Sequence, residues 1–329
     1  MAALVALFLA VSAIAQTPRK ICVYDPAGKA GDYHRLAEEF TLEAASWGSP
    51  VTLAAYTDEE TARRDYDAGA CDGVIATGVR LQAYNRFPTT LESIGGMPDY
   101  DGLRTMIGAL ATNAAIAPKL VSGDHETAGV LPVGAVYLFV RDRNIDTVAE
   151  LSGKRIATMD YDKASQFMVK RVNAVMVPAD LSSIGPKFNN GAVDAAYISA
   201  PGYKPFEMWR GIGSTGGIVR LPLAQATLQL VIRKSKFPEG FGAKARTSFA
   251  ARYDKAIAII KKAEAEIPAA SWIDLPHANT PVFDAMFADV RVALRDQGAY
   301  DAAMLKALKA TRCKRAPTRP ECAESPSRE

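Results

Sequence analysis

Two short stretches of this chain repeat one another at matching places. Gly69-Ala70-Cys71-Asp72-Gly73 and Gly191-Ala192-Val193-Asp194-Ala195 each close a helix and open a strand. In both, glycine suits the left-handed position just past a helix, and aspartate begins the strand. The same plan surrounds each stretch. The first follows a strand, Lys20 to Tyr24, and a helix with Tyr33, Leu36, Ala37, Phe40, Ala44 and Trp47 on one face. A strand from Val51 to Tyr56 comes next, then a helix to Ala68 opened by the capping box Thr57-Asp58-Glu59-Glu60. Val74 to Thr77 is the strand after it. The second stretch follows strand Lys154 to Met159, helix Tyr161 to Asn173, strand Val175 to Pro178 and helix Leu181 to Asn190. Ala195 to Ile198 is its closing strand. A β-α-β-α-β unit builds a doubly wound lobe on a parallel sheet. The chain is therefore expected to be α/β, with two similar lobes.

What joins the lobes is legible too. Val133 to Arg141 is a β-forming run that leaves the first lobe and enters the second, and Thr227 to Arg233 runs where the second lobe ends. Two crossing strands between α/β lobes make a hinge with a cleft between them. Ala243 to Glu266 reads as one helix, whose 24 residues would span about 36 Å and bridge both lobes. Pro268 should end it. Pro281 to Gln297 is a further amphipathic helix carrying Val282, Met286, Phe287, Val290 and Leu294, and Asp301 to Thr311 is the last. These divisions give lobe 1 as residues 16–135 plus 234–311, lobe 2 as 136–233 and a tail at 312–329.

In open α/β sheets ligands collect at strand-to-helix turns. The turn of the second lobe is Asp160-Tyr161-Asp162, where Asp160 or Asp162 can accept from the free N–H groups of the next helix. That helix is expected to bury Ala164, Phe167, Met168 and Val172, with Arg171 at its edge. The matching turn of the first lobe is Asp25 to Asp32. Its Gly28-Lys29-Ala30-Gly31 segment lacks a nucleotide P-loop pattern and reads equally as a plain turn and as a ligand contact. Gly211-Ile212-Gly213-Ser214-Thr215-Gly216 is a literal G-x-G-x-x-G. A helix precedes it and an apolar strand, Ile218 to Leu221, follows, the reverse of the dinucleotide fingerprint. A flexible loop is the expectation there. His34, His125 and His277 are isolated, without zinc-ligand spacing. No G-x-S-x-G elbow is present, so neither an enzyme nor a cofactor is expected. Tyr24, Tyr137, Tyr161, Tyr197 and Tyr203 fall near strand ends, and some of them should line the cleft.

The first residues place the chain in the cell. Residues 2–15 are almost wholly apolar and end in Ala13-Ile14-Ala15, the pattern of a signal segment (1–15) with cleavage before Gln16. No other segment reaches transmembrane length, so a soluble, exported protein without membrane insertion is expected. A formal charge of +3 with scattered basic residues gives no case for nucleic acid. Arg312, Lys314, Arg315 and Arg319 cluster in what reads as a solvated C-terminus. Four cysteines in an exported chain favour disulfides. Cys313 and Cys322 bracket two prolines and suit a local staple, which leaves Cys22 to pair with Cys71 across neighbouring strands.

Export signal, paired lobes, crossing strands and a long C-terminal helix together resemble a periplasmic solute-binding protein. Thr147 to Ile156, Phe188-Asn189-Asn190-Gly191-Ala192-Val193-Asp194 and Leu230 to Pro238 resemble segments of the TRAP-type, DctP-like binding proteins. Cys22-Val23-Tyr24-Asp25, Ala55-Tyr56-Thr57-Asp58-Glu59, Cys71-Asp72-Gly73 and Lys187-Phe188-Asn189-Asn190-Gly191 resemble the AdeT-like solute-binding proteins catalogued with RND efflux systems. The resemblance implies a two-lobed fold of the periplasmic binding protein-like II type. It also implies a small-molecule ligand held between the lobes by hinge closure and a membrane transporter subunit as partner. An envelope adaptor acting through protein contacts, with a vestigial cleft, is the alternative. TRAP-type proteins carry a carboxylate-binding arginine where alignment on Gly153 places Ala157. Arg155, two residues earlier, would share its strand face but sit about 6.6 Å deeper. A cationic or hydroxyl-rich ligand suits the acidic loops better. The expected ligand contacts are Asp25, Lys29, Thr77, Arg80, Tyr137, Arg155, Asp160, Tyr161, Ser199 and Tyr203.

Overall fold

The computed structural model describes residues 17–276 and 280–323. The expected signal segment and His277 lie outside the described residues. The first lobe runs β1 (Arg19–Tyr24), α1 (Asp32–Ser46), β2 (Val51–Tyr56), α2 (Glu59–Asp67) and β3 (Gly73–Thr77), with β1 between β2 and β3 and all three parallel. Short helices α3 (Gly78–Leu81) and α4 (Arg86–Thr89) and the longer α5 (Tyr100–Thr112) lead to strands β4 (Val121–Ser122) and β5 (His125–Val140). The second lobe repeats the plan as β6 (Arg155–Met159), α6 (Lys163–Arg171), β7 (Val175–Ala179), α7 (Ile184–Asn189) and β8 (Ala195–Ser199). Helix α8 (Met208–Ile212) precedes β9 (Gly217–Arg233). Then come α9 (Phe241–Ala251), α10 (Tyr253–Ala265), β10 (Trp272–Ile273), α11 (Thr280–Asp296), α12 (Ala302–Arg315) and α13 (Pro320–Ala323).

One sheet runs through both lobes in the order β2-β1-β3-β9-β5-β8-β6-β7. The two long strands carry it across. The Leu228 to Ile232 part of β9 pairs with β3, while the Gly217 to Val219 end pairs with the far end of β5 beside β8. The sequence suggested two separate strands, Ile218 to Leu221 and Thr227 to Arg233. The intervening stretch is instead extended as well: Ala224 to Ala226 pair with Val136, Ala135 and Gly134 of β5, and the register then shifts to Val219, with Arg220 to Leu223 bulging from the ladder. Register shifts in β5 at Thr127/Gly129, Pro132/Gly134 and Val136/Leu138 bend the ribbon between the lobes.

The repeated glycine-aspartate stretches do the same job in both lobes. Gly69 and Gly191 both have φ +78. The Asp72 carboxylate accepts from Lys20 N–H at 3.0 Å, and that of Asp194 accepts from Arg155 N–H at 2.9 Å. Each aspartate thus ties the loop before one strand to the start of the middle strand of its lobe. Both expected disulfides are present, Cys22–Cys71 and Cys313–Cys322.

Several local expectations need correction. Helix α2 is capped by Asp58, which accepts from Thr61 N–H at 2.7 Å, rather than by Thr57, since Glu60 turns to Arg63 and Arg80. The long helix is broken at Arg252 (φ −87, ψ 1). The buried Arg252 guanidinium donates back to Ser248 O and across to Glu43, and α10 then runs on to the second lobe. No glycine or proline marks the break. Along α6, Ala164 and, just past the helix end, Val172 are buried as expected, together with Ser165 and Val169, while Phe167 and Met168 are only partly covered; on α11, Phe283 is buried and Val282 exposed. The described part of the tail is solvated only in part: Lys314 and Arg315 are exposed, while two other members of the basic cluster, Arg312 and Arg319, are held inward. Arg312 is buried, and Glu321 accepts from Arg312, Arg291 and Arg319 next to the Cys313–Cys322 bridge. The G-x-G-x-x-G stretch is a tight turn, in which a side chain on Gly216 would strike the carbonyl of Val140.

Candidate functional site

A cavity of about 350 Å³ lies between the lobes. Tyr24, Tyr33, Thr77 and Glu92 wall it from the first lobe; Ile156, Met159, Asp162, Met168, Tyr197 and Ser199 wall it from the second. Val136 and Leu138 on β5, Leu223 and Gln225 on β9, and Phe283 and Met286 on α11 close the remaining sides. The doubly wound plan explains the place: the C-terminal ends of β1, β3, β6 and β8 all deliver residues to the wall. The wall is apolar over most of its area, as small-molecule sites are.

Its acids are already engaged. Asp25, on the turn after β1, accepts from Ala27 N–H at 2.9 Å, Tyr33 N–H at 3.0 Å and His34 N–H at 3.2 Å, so it caps α1. Asp162 does the same for α6 through Ala164 and Ser165, and Tyr197 Oη donates to its other oxygen at 3.4 Å. Burial raises the Asp162 carboxyl above its ordinary range against those hydrogen bonds. Glu92 sits opposite. Its Oε1 accepts from Thr227 N–H and Oγ1, both at 2.6 Å, and from Gly78 N–H at 3.1 Å. Glu92 is partly exposed, with surface open to the cavity, and desolvation by the surrounding protein pushes its carboxyl from 4.5 up to about 8. Glu92 is therefore mostly protonated at neutral pH.

At one end of the cleft the lobes touch. Tyr161, on the turn before α6, donates to Glu59 Oε1 at 2.9 Å, and the Arg80 guanidinium stacks on the Tyr161 ring, 3.3 Å from its centroid. Arg80 also donates to Glu59 at 3.2 Å and Glu60 at 2.7 Å. Thr77 Oγ1 donates to the other Glu59 oxygen at 2.9 Å. Glu59 and Arg80 side chains are 2% and 8% exposed, so this is a buried clasp between lobes. Burial, and then the Glu59 charge, raise the Tyr161 hydroxyl far above its usual value, which keeps it a donor.

The ten expected contact residues thus part company. Asp25, Thr77 and Ser199 are on the cavity wall, and Arg80 and Tyr161 face a second, polar recess at its edge. The other five are on neither wall. Lys29 is exposed on the turn before α1, and Asp160 is exposed with its carbonyl accepting from Gln166. Tyr137 donates to Glu264 at 3.1 Å and packs edge-on to Trp272, which docks α10. Tyr203 is buried among Phe139 and Trp209. Arg155 is half-exposed at the start of β6 and grips Asp194 with two nitrogens at 3.1 and 2.6 Å. It matches Lys20 of the first lobe and occupies the strand end opposite the cleft. Ala157 is fully buried in the core of the second lobe and does not reach the cavity. Of the five tyrosines read near strand ends, Tyr24 and Tyr197 line the cavity.

Comparison with known proteins follows the same lines. Residues 43–326 match the profile of the family described as Solute-binding protein AdeT 1/2. The chain belongs to the AdeT 1/2 solute-binding protein family. "Probable solute-binding protein AdeT1" of Acinetobacter baumannii is 38% identical over 303 residues, covering 92% of this chain and 99% of that protein. The fold of this AdeT 1/2 member is that of TRAP periplasmic solute-binding proteins. The one from Desulfovibrio salexigens, with bound orotic acid, superposes with TM-score 0.74 at 13% identity, covering 91% of this chain and 99% of that one. The one from Desulfovibrio desulfuricans, with bound sn-glycerol-3-phosphate, gives 0.74 at 15%, covering 90% and 97%. The AdeT 1/2 member is thus a two-lobed solute-binding protein by sequence and by fold. Among the described residues no helix is long and apolar enough to cross a membrane.

Sequence reasoning missed Glu92, Gln225, Tyr300, Phe283 and Met286 as wall residues. Tyr300 and Glu92 fall in stretches without motif or period, and only the tertiary fold brings them to the cavity. The β-forming run at Thr227 pointed to the neighbourhood of Gln225 but not to which side chains face inward.

Proposed function

We propose that this chain is an exported receptor that captures a small molecule in the interlobe cavity and hands it to a membrane transporter subunit. The observation that carries the reading is the cavity itself: about 350 Å³, walled by both lobes and by both crossing strands. A ligand touching both lobes favours the closed form by its differential affinity for it. With lobe 1 as 16–135 plus 234–311 and lobe 2 as 136–233, the hinge falls in β5 and β9, and 312–329 is set apart as the tail, whose described part is stapled by Cys313–Cys322. Export through a cleaved segment at 1–15 is supported by its apolar run and the Ala13-Ile14-Ala15 pattern. A non-catalytic role is supported by the engagement of Asp25 and Asp162 as helix caps. Thr77 and Ser199 are retained as ligand contacts, and Tyr24, Tyr197 and Glu92 are added to them.

A thermal-shift screen of the mature protein against amines, sugars, aminoglycosides, organic acids and neutral aromatic compounds tests this reading. A captured ligand raises the melting temperature by mass action, by an amount that grows with its concentration. Flat curves for every class at millimolar concentration would overturn it in favour of an adaptor that works through protein contacts.

A further inference from the structure

We propose that the interlobe cavity is built for a ligand that is uncharged and largely apolar. This rests on the cavity being the binding site, and goes beyond it by naming the chemical class of the occupant.

The charge inventory of the wall is the first argument. Among the described residues the wall carries no arginine and no histidine; its charged members are Asp25, Asp32, Glu92, Asp162 and Lys163. Lys163 is exposed at the first turn of α6 and also lines the polar recess outside, so it marks the mouth. An anion taken inside would lose its water with no buried cation to replace it. The two structural relatives described above hold ligands that carry a carboxylic acid or a phosphate. The nearby guanidinium, Arg80, is clasped by Glu59, Glu60 and the Tyr161 ring.

A cation fares no better. Both oxygens of Asp25 already accept backbone N–H groups, Asp162 is occupied by two N–H groups and Tyr197, and Asp32 pairs with Arg35 in solvent. Glu92 presents a protonated carboxyl to the cavity at neutral pH. What the wall offers over most of its surface is Leu138, Ile156, Met168, Leu223, Phe283 and Met286. Flexible methionines on two sides fit a ligand of irregular shape.

What the wall hides points the same way. Two of its residues with polar ends bury them, since Tyr33 Oη and Gln225 Oε1 are closed off from solvent and cavity alike. Gln225 as a whole is 1% exposed and Tyr33 7%. The surface that meets a ligand is therefore less polar than the residues around it.

A matched set of probes tests this. N-phenyl-naphthylamine is neutral, anilinonaphthalene sulfonate is the same skeleton with an anionic group, and a naphthylmethyl-ammonium supplies the cationic arm. Each is titrated by fluorescence or calorimetry into the mature protein, into Ala224→Phe, which fills the cavity, and into Val175→Ser, which alters an exposed apolar site on β7. The fold of each variant is checked by circular dichroism. The expected result is saturable one-site binding of the neutral probe, about tenfold or more tighter than either charged probe, as fits a desolvation penalty above about 1.4 kcal/mol. Ala224→Phe should weaken it at least about tenfold and Val175→Ser leave it unchanged. Should Ala224→Phe fail to fold, Met168→Ala, which enlarges the cavity, should change the neutral probe's affinity while leaving the ranking intact. A charged probe that binds as tightly as the neutral one, and is expelled by Ala224→Phe, would overturn the ligand class and leave the binding site standing. No probe binding at all, or binding indifferent to both cavity variants, would overturn the site as well.

Discussion

Glu92 is the residue whose chemistry is most changed by the fold. Its carboxyl titrates near 8 in the folded chain, against 4.5 when unfolded, because burial penalises the charge. Between those values the folded chain holds a proton that the unfolded chain has released, so stability falls as pH rises from about 4.5 to about 8. Glu92→Gln keeps the acceptor oxygen for Thr227 and Gly78 and removes the titration. The variant should match the parent near pH 5 and exceed it above pH 8 by a few kcal/mol, since every tenfold change in proton affinity on folding is worth about 1.4 kcal/mol. Urea melts of both proteins at several pH values measure this; parallel pH profiles would show that Glu92 is not desolvated as described. Nothing in the sequence around it, Thr89-Thr90-Leu91-Glu92-Ser93, distinguishes this glutamate from a solvated one. The difference is made by Thr227, 135 positions away along the chain. Asp162 was legible, as one of two candidates with Asp160, because its capping is local, with a short side chain beside free N–H groups two and three residues on; Asp25 was read as a ligand contact, and its capping of α1 from eight and nine residues away carried no local signal. Arg155 misled for a reason the repeat contains: Asp194 answers to Asp72, so Arg155 answers to Lys20 and belongs to the start of the strand.

At the level of elements, the two β-α-β-α-β units were readable almost to the residue, because period, caps and glycine stops agree along each. The crossing strands were found but drawn short, one beginning just after Pro132 and the other divided at Pro222, since proline weakens a strand taken alone. Pairing of β5 with β9 carries the strand through Pro132, which faces Thr227. The split of α9 from α10 had no local signal and comes from Arg252 reaching Glu43 on α1. Two devices at this scale can be tested. Cys22–Cys71 closes a loop of 49 residues and Cys313–Cys322 one of 9. On the loop-entropy scale these stabilise by about 4 and about 3 kcal/mol. Replacing Cys22 and Cys71 by serine should therefore lower the urea midpoint more than replacing the tail pair, with equal losses counting against loop closure as the main effect. Gly134 sits at a register shift in β5 with φ +110, and a methyl there would approach Ile260 to 2.9 Å. Gly134→Ala should cost about 1–3 kcal/mol, and it should also stiffen or misalign the inter-lobe ribbon. That second effect would register as weaker probe binding under conditions where the variant is fully folded.

For the whole molecule the question is what holds the lobes together when they meet. The clasp of Glu59, Arg80 and Tyr161 joins the turn before α6 in one lobe to α2 and α3 in the other, and it uses no ligand atom. Most of its pieces are preassembled within the first lobe, where Arg80 already has Glu59, Glu60 and the Thr77 turn as neighbours. On the closure proposed above, Tyr161 is the piece that the second lobe brings. Its contribution is one hydrogen bond to a carboxylate and one stacked guanidinium, roughly 1–3 kcal/mol together. A closing preference of that size is small enough for the lobes to open for release and large enough to matter for affinity, because apparent affinity falls with the fraction of closed molecules. Tyr161→Phe should lose the hydrogen bond and keep the stacking; Tyr161→Ala should lose both. In order, parent, Phe variant and Ala variant should show a rising radius of gyration by small-angle scattering in the absence of ligand. Neutral-probe affinity should fall by up to about threefold for Phe and by about tenfold or more for Ala. Neither change replaces a residue of the cavity wall, although Tyr161 Oη also touches Sδ of the wall residue Met159 at 3.0 Å; an affinity loss that tracks the radius of gyration is the part that comes from the closing equilibrium. Scattering curves that superpose for all three, with unchanged affinity, would mean that the lobes are fixed by the crossing strands and α10 alone.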